Sequence, residues 1–201
     1  MKSLLIALLL ALIPTAIFAQ KAKNKIGSSS ITSTLATFEN LKAEIITEEG
    51  KQKLVIIIDN AGKKENVILK ELITKDKTQF PMNVKINSFT VSGVKLYHFS
   101  YTENIKTETK LKKEDALVTT NEIWDFSSTK VKILSNIQTI SKIKETVFLD
   151  KNKTASEEVE KTRKEGFEFT LTKDYEVILS TKTQTNKYKF NPITRRYDPK
   201  K

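Results

Sequence analysis

Residues 84–101 read VKINSFTVSGVKLYHFSY, and this stretch decides the fold. Two runs that alternate apolar and polar residues flank Ser92-Gly93. A two-residue period marks a strand with one face turned to a core. A two-residue loop ending in Gly marks a hairpin, because Gly accepts the positive φ that so tight a turn demands.

The pattern extends in both directions. Toward the N-terminus, Leu54 to Asp59 (LVIIID) is an apolar run of strand length. Asn60-Ala61-Gly62-Lys63 supplies turn chemistry, and Glu65 to Leu72 returns as a second hairpin. Toward the C-terminus, residues 105–111, 117–126, 131–137 and 142–149 continue the alternation. Residues 167–171 and 175–179 flank the turn Thr172-Lys173-Asp174. A last hairpin runs from Tyr188-Lys189-Phe190 through Asn191-Pro192 to Tyr197. Roughly a dozen short strands predict an all-β, mainly antiparallel domain: a sandwich, a barrel or a strongly bent sheet.

One segment departs from the pattern. Thr154 and Glu157 have capping-box spacing, acidic residues precede basic ones, and Gly166 stands where a helix would stop. These signals predict one short surface helix near residues 154–165. Val159 is its one large apolar residue, so an exposed polar strand pair is the alternative. Residues 124–131 and 188–197 echo each other: an aromatic strand end, a polar turn with Thr before a basic residue, and a return strand. The echo reads as a shared hairpin design, with a weak internal duplication as the alternative.

The chain has 201 residues, enough for one compact domain over 31–201. A domain of that size buries about 70% of its unfolded surface and needs no staple. Zero Cys excludes disulfides, Cys-ligated zinc, iron–sulfur clusters and thiol catalysis. One His excludes a His-rich metal site, and five Gly leave little for phosphate-cradling loops. The expectation is accordingly no cofactor and no metal.

Residues 1–19 have the form of a secretory signal peptide with its own helix. Lys2 supplies the charged start, Leu4 to Phe18 the apolar stretch, and Ala19 the small residue before Gln20. Pro14 breaks a run already too short to span a bilayer. Residues 20–30 (QKAKNKIGSSS) read as a polar lead-in. The expected product is secreted or periplasmic, with no membrane span after cleavage.

Candidate chemistry is sparse. His98 shares a strand face with Val94 and Leu96, and no Gly-x-Ser-x-Gly elbow supplies a nucleophile, so a half-buried histidine is expected. Asp150, Asn152 and Thr154 mimic the opening of a calcium loop, but Ala155 and Lys161 stand where Gly and Glu belong. Phe99 and Phe126 read as core; Tyr97, Tyr101 and Trp124 fit either a core wall or a stacking surface.

The basic balance is the strongest chemical signal. Lys and Arg total 35 against 24 Asp and Glu, a net charge of +11. Such a field attracts polyanions. It concentrates at the C-terminus, where Lys187, Lys189, Arg195 and Arg196 are interleaved with aromatics. These four are the candidate ligand-binding residues. Only three of the basic residues are Arg (Arg163, Arg195, Arg196), which argues against nucleic acid, since Arg is favoured for bidentate phosphate recognition. The sequence therefore points to a non-catalytic exported protein that binds a protein or an anionic polymer of the bacterial envelope. The alternatives are a small carboxylate-dependent hydrolase of envelope polysaccharide or peptide, and a periplasmic lipid or lipoprotein carrier.

Overall fold

The computed structural model describes residues 30–72, 80–127 and 130–200. Within them every regular element is a strand, and the strands form three antiparallel sheets. The first sheet holds β1 (Ser30–Phe38), β2 (Leu41–Glu48), β3 (Lys51–Asn60) and β4 (Lys63–Leu72). The second holds β5 (Met82–Val91), β6 (Val94–Glu108), β7 (Lys112–Asp125), β8 (Val131–Phe148) and β9 (Ser156–Gly166). The third holds β10 (Glu168–Leu171), β11 (Val177–Ser180), β12 (Thr185–Asn191) and β13 (Arg196–Pro199). In each sheet the spatial order is the chain order.

Turn chemistry explains that simple order. Glu49-Gly50, Ala61-Gly62 and Ser92-Gly93 each place two successive residues at positive φ, with the glycines at 75°, 91° and 77°. Two positive φ values in a two-residue loop match the right-handed twist of the strands they join. They set the pairings Glu48↔Lys51, Asn60↔Lys63 and Val91↔Val94.

The second sheet is the middle layer. Along β6, Phe99 and Tyr101 face the first sheet and pack with Ile86, Trp124, Leu41, Leu54, Ile56 and Val67. Leu96 points the other way and packs with Phe89, Ile123, Val177, Phe190 and Tyr197, so this face meets the third sheet. Leu96 and Phe99 are both fully buried. Burying a side chain of this size contributes about 1.5–3 kcal/mol, and β6 does so on both faces. Rings tie the layers together: Phe89 stacks on Tyr175 at 4.9 Å, and His98 on Phe169 at 5.0 Å.

Two expectations need correction. The strands expected at 131–137 and 142–149 are one element, β8, and the pattern from 94 into 105–111 is continuous through β6. Gln138, Thr139, Ser141 and Lys142 make the stretch look polar, yet Ser141 and Ile143 are buried, so the alternation carries through. The expected helix at 154–165 is instead β9, paired with β8 along its whole length. A helix there has only Val159 to bury, and an isolated helix of that length is marginal in water. As a strand the segment covers the edge of β8 and gains cross-strand ion pairs, Lys144–Glu160 at 2.5 Å and Lys161–Glu145 at 2.6 Å. Thr154 does not cap a helix; its hydroxyl donates to Asp150 Oδ2 at 2.7 Å.

The signal peptide expected over residues 1–19 lies outside the described residues, as does the lead-in apart from Ser30, which begins β1. Among the described residues no helix is long and apolar enough to cross a membrane.

Candidate functional site

The closing hairpin is built by local rules. Asn191 Oδ1 accepts from the backbone N–H of Ile193 at 2.9 Å and of Thr194 at 3.3 Å, which folds the loop between β12 and β13. The pleat then sorts the side chains. Phe190 and Tyr197 turn inward and are buried. The Tyr197 hydroxyl donates to the Tyr175 carbonyl at 3.0 Å, and burial holds its phenol protonated well above the ordinary tyrosine range. Lys187, Lys189 and Arg196 are left on the outer, exposed face.

Other charges share that face. Lys200 Nζ donates to both Glu176 oxygens, at 2.7 and 3.0 Å. The Lys200 ammonium holds the Glu176 carboxyl below its usual range, and Lys189 and Lys187 add to the same effect. Asp198 lies opposite Lys189 but accepts from Asn191 Nδ2 at 2.8 Å. Four cations thus surround two carboxylates that already have partners. Among the described residues, Lys187, Lys189 and Arg196 form no ion pair.

Arg195 stands apart from the other three sequence candidates. It points back across the layers, with Nη2 2.5 Å from Asp125 Oδ2 and donating to Ser127 Oγ at 2.6 Å. Asp125 is buried, and its other oxygen accepts from the Ser127 N–H and hydroxyl. Arg195 therefore fastens the third sheet to the end of β7. Its guanidinium is committed to a fold contact, and charge counting along the chain has no means to reveal this.

The remaining motifs are absorbed by structure. His98 Nε2 lies 3.1 Å from Asn121 Oδ1 between the second and third sheets, and burial lowers its pKa below the ordinary value. Both oxygens of Asp150 accept from the Thr154 and Ala155 amides and the Thr154 hydroxyl, which pulls its pKa down to about 2. Those bonds close the loop into β9. No group of three or more metal-ligating residues occurs among the described residues.

Sequence reasoning did not single out two buried carboxylates between the first and second sheets. Glu122 accepts from Trp124 Nε1 at 2.9 Å and from Lys132 Nζ at 2.8 Å. Glu103 is held by Lys70 of β4 at 2.5 Å. Each carboxylate is 4% or less exposed, and each has its own lysine. Glu103 ties the first sheet to the second through Lys70, whereas the partners of Glu122, Trp124 of β7 and Lys132 of β8, belong to its own sheet. Tyr101 lies beside them, its phenol pushed up by burial and then by Glu122.

A cleft of about 620 Å³ opens at the corner where β9 passes into β10. Lys164 and Lys182 line it, with Gln138, Thr162, Ser180 and Thr183. Gly166, at the corner, was read from the sequence as a helix stop, and nothing in the sequence reading pointed to a cleft. No protein-family model, curated protein or solved structure matches this chain.

Proposed function

We propose that this chain is a non-catalytic binding protein that works outside the cytoplasm and engages an anionic polymer of the bacterial envelope. Lys187, Lys189 and Arg196 are the contact residues, on the outer face of the third sheet. One observation carries the reading: three cations that form no ion pair among the described residues share one exposed sheet face. That face is held from behind by Phe190 and Tyr197. Lysines two apart on a strand are spaced about 6.6–6.8 Å, a pitch suited to repeated negative charges on an extended chain. Of the two carboxylates on this face, Glu176 is held by Lys200 and Asp198 accepts from Asn191, which leaves four cations against two negative charges.

The test reverses the three charges together (Lys187→Glu, Lys189→Glu, Arg196→Glu) and leaves Arg195 intact. Retention on immobilised heparin and on isolated envelope is then compared with wild type over a salt gradient. The variant should elute at clearly lower salt while keeping its β-sheet circular dichroism. Equal retention would show that the face is only solvated surface.

A further inference from the structure

The corner cleft deepens this reading, and the inference drawn from it rests on the polyanion proposal above. The third sheet covers the half of the middle sheet around Leu96 and Ile123, and beyond it Leu117 is 41% exposed. Where the cover stops, the chain turns sharply at Gly166. Its φ is +79°, and a Cβ there would lie 2.2 Å from the Ile137 carbonyl oxygen. The corner packs backbone against backbone and leaves a recess of about 620 Å³, within the roughly 300–1,000 Å³ range of small-ligand sites.

The lining has a definite chemistry. Lys164 and Lys182 bring two cations that form no ion pair among the described residues. Thr162, Ser180 and Thr183 bring hydroxyls, and Gln138 an amide, so the walls both donate and accept hydrogen bonds. Glu168 adds two acceptor oxygens and one negative charge. That carboxylate opposes a ligand with a charge on every unit but pairs readily with neutral hydroxyls. Cations for sparse anionic groups, together with donors and acceptors for hydroxyls, describe a sugar carrying a carboxylate or sulfate.

The cleft also joins the proposed binding face. Ser180 lines the cleft and pairs with Thr185, and Thr185 shares its strand face with Lys187 and Lys189. From the register, a bound chain leaving the cleft past Ser180 runs along β12 toward Arg196.

We infer that the cleft is the end subsite of the same face, and that the polymer is an acidic polysaccharide rather than a polyphosphate. The experiment measures binding of hyaluronate oligomers, which carry a carboxylate on every second sugar, and of inorganic polyphosphate matched in length, by calorimetry at fixed ionic strength. Three variants join wild type: Lys164→Glu with Lys182→Glu, Thr162→Val with Thr183→Val, and the hairpin triple reversal. Cleft charge reversal should weaken uronate binding roughly tenfold, equivalent to two modest charged contacts. The two valine changes should weaken uronate binding and leave polyphosphate binding unchanged. If the cleft variants bind uronate like wild type while the hairpin triple loses it, the cleft is no subsite and the hairpin reading stands. If polyphosphate binds more tightly and the valine changes have no effect, the ligand class is wrong. If neither polymer binds wild type, the polyanion reading falls and this inference with it.

Discussion

Arg195 and Asp125 meet with Nη2 2.5 Å from Oδ2, joining the loop between β12 and β13 to the end of β7. The same guanidinium donates to Ser127 Oγ, 68 residues away in sequence. The Asp125 side chain is 9% exposed and the Arg195 side chain 41%, so the carboxylate depends on this partner more than the guanidinium does.

Replacing Arg195 by Met keeps the bulk of the stem and removes the donors. Asp125 is then left buried without a countercharge, a loss of about 2 kcal/mol once partial exposure of the arginine is allowed for. Arg196→Met, one residue away on the outer face, should stay within about 0.5 kcal/mol of wild type. Urea denaturation separates the two. Heparin retention should move in the opposite sense, falling for Arg196→Met and holding for folded Arg195→Met.

Gly166→Ala and Gly93→Ala test what each glycine does. Both positions have positive φ, but a Cβ at Gly93 meets nothing within 4 Å, whereas one at Gly166 collides with the Ile137 carbonyl. Gly93→Ala should cost about 1 kcal/mol for the conformation alone. Gly166→Ala adds a backbone clash and should cost about 3 kcal/mol. Equal costs in chemical denaturation would mean that the corner yields and does not shape the cleft.

His98 gives the fold an acid sensitivity. Burial against Phe169 disfavours the charged ring, so its folded pKa lies below the unfolded value of 6.5. The unfolded chain takes up the proton first as pH drops. Stability should therefore be full above 6.5, decline as pH falls from there through the folded pKa, and level off below it. His98→Gln should flatten this part of the stability–pH curve. A curve of unchanged slope would assign the effect to other groups.

Asp150 should titrate near 2 when followed by carboxyl NMR, because the Thr154 hydroxyl and the Thr154 and Ala155 amides hold its charged form. Thr154→Val removes the hydroxyl and keeps the amides, so the midpoint should rise part of the way toward 3.8. The ordering of this loop persists above 3.8 and is lost as pH falls toward 2. Added calcium should leave the midpoint where it is, since both oxygens already accept hydrogen bonds.

Much of the fold was legible in the chain. The hairpins at Ala61-Gly62 and Ser92-Gly93 were readable because Gly in a two-residue loop is a local steric requirement. Phe99 was readable as core from its place on an alternating strand; Phe126 is half-buried just past the end of β7 and packs against that core. The helix expected at 154–165 shows the limit. Thr154 and Glu157 carry genuine capping signals, but β8 offers a full ladder of backbone partners, and that long-range pairing outweighs a helix with one apolar residue.

The candidate site divides along the same line. Alternation along β12 told which residues share a face with Lys187 and Lys189. It did not tell that Arg195 belongs to Asp125 or that Lys164 and Lys182 meet in one cleft. Pleat and turn geometry are set by each residue and its immediate neighbours, so the order of amino acids alone determines them. Which charge is free and which is spent depends on groups many residues away, and only the packing of three sheets against one another brings those groups within reach.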